Sequence, residues 1–107
     1  MTPQDKIAQF KEVADRMPDD PVVRLGLAIA YLEAGQAEEA VREFKETIRL
    51  KPDYTAAHRG LGRALERAGR PEEARLAYRH GIEVGRVTGD LQTVKEMEVF
   101  LRRLQRQ

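Results

Sequence analysis

Four residue types are missing from the 107-residue chain: cysteine, serine, asparagine and tryptophan. Without cysteine there is no disulfide framework, no thiolate metal site and no thiol nucleophile. Without serine the commonest hydroxyl nucleophile is gone too. An excess of one charge is also lacking, since 19 basic and 18 acidic side chains leave a net charge of +1. That removes the global electrostatic signature of a dedicated nucleic-acid binder. No segment approaches the roughly 18 consecutive apolar residues of a membrane span, and MTPQDKIAQF does not read as a secretory leader. The cytoplasm is the expected compartment. What remains is 41% hydrophobic and 35% charged, the balance of one small globular domain with a wet surface.

Displacing the chain against itself by 34 residues aligns 21–54 with 55–88. Identities then fall at Gly26/Gly60, Leu27/Leu61, Ala30/Ala64, Ala34/Ala68, Gly35/Gly69, Glu38/Glu72, Glu39/Glu73, Ala40/Ala74 and Ile48/Ile82. Those are nine matches where chance would give about two. Phe44/Tyr78 and Leu50/Val84 are conservative, and Phe10 and Pro18 lie one period upstream of Phe44 and Pro52. Within each unit the apolar period is helical. Val23, Leu27, Ala30, Tyr31 and Ala34 share one face, as do Ala40, Val41, Phe44 and Ile48. Asp20 before Pro21 predicts an N-cap, Gly35 and Gly69 predict left-handed helix ends, and Pro18 and Pro52 stop the second helices. Nothing alternates as a strand would. Six helices are expected, near 3–16, 21–34, 37–50, 55–68, 71–84 and 89–105, with short loops that make neighbours antiparallel.

A 34-residue helix–turn–helix unit of this pattern resembles the tetratricopeptide repeat (TPR), with its signature W-x₂-L-G-x₂-Y…A-x₃-F…P. The first unit supplies Leu27, Tyr31, Ala40, Phe44 and Pro52, with Arg24 for the tryptophan and Ala28 for the glycine. The second supplies Leu61, Gly62, Ala74 and Tyr78, with His58 for the tryptophan, Leu65 for the tyrosine and Arg86 where proline is expected. The resemblance covers essentially the whole chain and implies a short bacterial-type TPR protein. It implies an all-α, right-handed superhelix of antiparallel helix pairs in one domain, 1–107. Residues 3–18 would be a half repeat, 21–54 and 55–88 full repeats, and 89–107 a capping helix. In that last helix Leu91, Val94, Met97, Leu101 and Leu104 face inward, while Lys95, Glu98, Arg102 and Gln105 face water.

Chemistry has few places to hide. Gly60-Leu61-Gly62 begins a phosphate-loop pattern, but Leu65 occupies the last glycine position and no strand precedes it. The two histidines, His58 and His80, sit on different helices without metal-ligand spacing, and His58 takes a packing position of the repeat. The pairs Glu38-Glu39 and Glu72-Glu73 diverge around a helix and read as first-turn charges. No catalytic residue, metal site or cofactor is expected.

Two surface stripes stand out. Helix 21–34 is apolar nearly all round, because Val22, Leu25, Ile29 and Leu32 form a second stripe beyond its core face. Cover from within the chain would satisfy it. In the family, however, corresponding positions line a concave peptide groove. The matching stripe of helix 55–68 carries Arg59, Arg63 and Arg67, which suits an acidic partner. A solvated face with the arginines paired to Glu66 is the plain alternative. Charge also divides along the chain. Residues 1–54 hold 8 basic and 11 acidic side chains, and 55–107 hold 11 and 7, giving −3 and +4. Capture of chaperone C-terminal tails, which in the family uses groove lysines and asparagines, is not expected of a chain with no asparagine.

The expected function is therefore non-enzymatic: a protein-interaction scaffold holding a peptide or partner protein in the groove of Val22, Leu25, Ile29, Leu32, Arg59, Arg63 and Arg67. The alternative is a self-associating unit, a homodimer formed through that stripe or through helix 3–16. There Ile7, Phe10 and Ala14 would await a missing neighbour. No membrane partner is expected, and nucleic acid is disfavoured by the charge balance and by only 6% aromatic residues for base stacking.

Overall fold

The computed structural model describes residues 1–106, and among them every regular element is an α-helix. These are α1 (Pro3–Arg16), α2 (Pro21–Glu33), α3 (Ala37–Leu50), α4 (Thr55–Arg67), α5 (Pro71–Thr88) and α6 (Leu91–Gln105). The boundaries follow local chemistry. The Asp20 carboxylate accepts from the Val22 and Val23 amides at 2.9 and 3.3 Å and so caps α2, and Asp90 caps α6 through the Thr93 amide at 3.3 Å. Gly35 and Gly69 turn the chain after α2 and α4 with φ of 79° and 75°, a backbone region that disfavours side chains with a Cβ.

The fifth helix departs from the expected end at 84. Its counterpart α3 stops before Pro52, but the second repeat carries Arg86 at that place. With no proline to break it, α5 continues to Thr88 and ends only at Gly89, whose φ is 83°.

Each helix packs on its sequence neighbours, and α4 additionally touches α2 and α6. Helices α2, α4 and α6 therefore form an inner layer, and α1, α3 and α5 an outer one. Close approach is made possible by small residues: Ala28, Ala40, Ala57, Ala64 and Ala74 are all completely buried. The aromatic rings of the outer helices fill what remains. Phe44 and Tyr78 are buried, Phe44 against Gly60 and Tyr78 against Gly62, where a methyl group would overlap the ring.

The same device seats α1. Phe10 lies against Gly26, and Ile7 and Ala14 are buried, so the neighbour that this face was expected to lack is α2 itself. The large apolar side chains that stay uncovered here are Val13 on α1 and Met17 just past its end. At the other end Leu91, expected inside, is exposed, and α6 rests on α5 through Val94 and Met97 at Gly85 and Gly81.

Candidate partner-binding groove

A cleft of about 360 Å³ runs across the inner layer. From α2 it takes Leu25, Ile29 and Leu32; from α4, Arg59, Arg63 and Arg67; and from α6, Glu96 and Phe100. Six of the seven residues expected to form a groove thus converge on one concavity. The seventh, Val22, does not line it and stands exposed at the start of α2.

The apolar side of the groove is partly wet. Leu25 and Leu32 are half-buried against the core, whereas Ile29 is 42% exposed. Cover from within the chain is thus incomplete at Ile29.

Each arginine meets a different environment. The Arg59 Nη1 atom donates to Glu96 Oε1 at 2.8 Å, an ion pair spanning α4 and α6 with both side chains about a third exposed. The Arg63 guanidinium lies 4.4 Å from the centre of the Phe100 ring, a cation–π arrangement. Arg67 makes only a long contact, Nη1 to the Leu32 carbonyl at 3.4 Å. Pairing with Glu66 does not occur, because Glu66 is taken by Tyr78, whose buried hydroxyl donates to its carboxylate. Burial, reinforced by that bond and by the carboxylate's charge, raises the tyrosine pKa and keeps it a donor.

Glu96 and Phe100 complete the groove without belonging to either expected stripe, and their signal in the sequence is a broken register. A strict period of 34 places Thr93 and Met97 opposite Arg59 and Arg63. Because α5 is extended, α6 begins 36 rather than 34 residues after α4, and the contacts Arg59–Glu96 and Arg63–Phe100 each span 37. Three rungs then line the groove: Leu25–Arg59–Glu96 and Ile29–Arg63–Phe100 run across its floor, with Leu32 and Arg67 at one mouth.

No group of three or more histidine or carboxylate side chains is arranged to hold a metal among the described residues. His58 is buried, with Nε2 at 2.8 Å from the Pro52 carbonyl and its ring edge-on to His80. Burial is the main reason its pKa is lowered, and the neighbouring His80 adds to this. The place is structural. One period upstream, Arg24 Nε donates to the Pro18 carbonyl at 3.1 Å, so both repeats use an N–H donor here to tie down the preceding loop.

An inner layer of first helices, an outer layer of second helices and a 34-residue register define a helical-repeat protein of superhelical form. The tetratricopeptide repeat model matches residues 25–82. A TPR repeat-containing protein of Pseudomonas aeruginosa is 40% identical over 88 residues, which is 82% of this chain and 84% of that one. This chain belongs to the tetratricopeptide repeat family, whose members serve as protein-interaction modules. A Bordetella parapertussis protein solved in solution is 31% identical, with a TM-score of 0.83 over 94% of this chain and 87% of that one. The TPR2B domain of yeast Sti1, solved as a complex with pHsp70, has a TM-score of 0.88 over 94% of this chain and 80% of that one. Its identity is 14%, so that likeness concerns the fold. No helix of the described residues is long and apolar enough to cross a membrane.

Proposed function

We propose that this protein is a non-enzymatic, cytoplasmic interaction module that holds a peptide or partner-protein segment in the cleft of the inner layer. One observation carries the reading. Residues on three helices, far apart in sequence, bring an aliphatic wall, a row of guanidinium groups and the Phe100 ring to the same open concavity. Shape, half-exposed aliphatic surface and arginine-mediated orientation are what an amphipathic segment requires. Binding of one segment would be weak, about micromolar or weaker, since ordering costs offset much of the apolar gain. The Sti1 domain, solved with pHsp70, resembles this chain in fold, but here Leu25, Ile29, Arg59 and Arg63 occupy the groove. That surface favours an apolar and acidic segment over a chaperone tail.

The test is capture of partners from a lysate by the purified chain beside Leu25→Glu/Ile29→Glu, followed by titration of the recovered segment. Loss of binding by a variant that keeps its helical circular dichroism supports the groove. Undiminished binding would remove it. Self-association is the second reading, favoured by the exposure of Val13, Met17 and Val22 around the N-terminal end. Sedimentation separates them: a dimer that survives the double substitution uses that end, and a monomer leaves the groove to a different protein.

A further inference from the structure

The groove is electrically lopsided. At one end Arg59 is already neutralised by Glu96 at 2.8 Å. At the other, neither Arg63 nor Arg67 has a carboxylate within ion-pair distance among the described residues. The other acid of the cleft, Glu33, is 3.6 Å from Lys6 of α1. Resting on the groove reading above, we propose that Glu96 is a specificity-determining residue. It occupies Arg59 and repels acid from that end, so that the partner must be an apolar segment with its carboxylate at one end only, seated at Arg63 and Arg67. A uniformly acidic segment gains at one mouth and loses at the other. Polarity of this kind also fixes the direction in which the segment lies, since reversing it would set the carboxylate against Glu96.

The chemistry behind this is ordinary. A guanidinium engaged in a partly shielded pair offers little to a second carboxylate, while an unpaired one adjoining apolar surface offers more. Stacking on Phe100 leaves the Arg63 charge in place and holds its plane.

Three blocked peptides of about 12 residues, identical in their leucine- and alanine-rich middle, provide the probes. One carries glutamate at a single end, one carries it at both ends, and one carries glutamine at both ends. Affinities come from ¹⁵N-amide shift titrations of the whole chain. For the unsubstituted protein the single-ended peptide should bind about two- to fivefold more tightly than the glutamine peptide. The double-ended peptide should bind no better than the single-ended one. Glu96→Gln should reverse that order, making the double-ended peptide the tightest, and Arg67→Gln should erase the gain of the single-ended one. Both substitutions are at the surface, and unchanged amide spectra outside the groove confirm the fold.

A double-ended peptide that already binds best to the unsubstituted protein overturns the proposal, and so does a charge preference indifferent to Arg67→Gln. Binding of all three peptides with equal affinity overturns this inference while leaving the groove intact. Absence of any groove shift overturns the groove itself, and the inference with it.

Discussion

Helices α2 and α4 occupy equivalent places in successive repeats, yet one turns leucine and isoleucine toward the groove and the other turns arginine. Their identical positions, Gly26/Gly60, Leu27/Leu61 and Ala30/Ala64, all face neighbouring helices. Two of their divergent pairs, Leu25/Arg59 and Ile29/Arg63, face the cleft, whereas others, Ala28/Gly62 and Tyr31/Leu65, are buried. Repetition thus marks what the superhelix needs to hold together, and divergence at the cleft-facing positions marks where a partner could be read. Both ends of the array keep some apolar surface bare, Val13 on the first outer helix and Leu91 and Val99 on α6.

The strongest way to break the equivalence is to empty its core. Phe44 is 1% exposed, lying over Gly60 between α2, α3 and α4, and Phe44→Ala should destabilise the chain by about 3–5 kcal/mol. Phe10 fills the equivalent place a period earlier but is only half-buried, so Phe10→Ala should lose roughly half as much. Urea unfolding of the two variants measures the ratio. Equal losses would show that α1 is covered by something else, such as a second copy.

Next in size is the glycine beneath the ring. Replacing a helical glycine by alanine ordinarily stabilises by about 1 kcal/mol through propensity. At Gly60 the new methyl would overlap Phe44, an interior ring with nowhere to move, so Gly60→Ala should instead destabilise by about 1–3 kcal/mol. The sign alone decides the matter.

Most of this fold was legible because the signals were redundant. Asp20, Gly35, Gly69 and the Phe44/Tyr78 register each pointed independently to the same hairpins, and each stands where it was expected. The groove was legible in six residues for the same reason, since helical periodicity needs only the helix to be right. Two other features were not. Glu96 and Phe100 depend on where α6 begins, which is decided by the lack of a proline at Arg86, and a strict period hides that shift. The use of Glu66 by Tyr78, rather than by the arginines, depends on packing between α4 and α5 that no spacing within one helix reveals.

The smallest expected effect separates the repeats by pH. Arg24 and His58 both donate to the carbonyl of the preceding proline, Pro18 and Pro52, but they do so with different acid–base chemistry. Arg24 is a guanidinium paired with Glu43 at 3.1 Å. The second repeat has Ala77 in place of that glutamate, and His58 sits buried and neutral. The groups facing His58 are the Pro52 carbonyl, whose hydrogen bond raises its pKa, and His80, which together with the dominant effect of burial lowers it. The folded pKa of His58 therefore lies below its ordinary value of 6.5. Below that value the unfolded chain binds a proton that the folded chain refuses, so stability is full above it and declines as pH falls. His58→Gln keeps a neutral N–H donor for Pro52 and removes the titration. Between about pH 7.5 and about pH 5 the unsubstituted chain should lose more stability in urea than the glutamine variant. His80→Gln should give an intermediate loss, because it removes the repulsion but leaves the burial. Identical pH profiles for all three would mean that His58 already takes up its proton in the folded chain, and that the loop tie at Pro52 withstands the charge as its counterpart at Pro18 does.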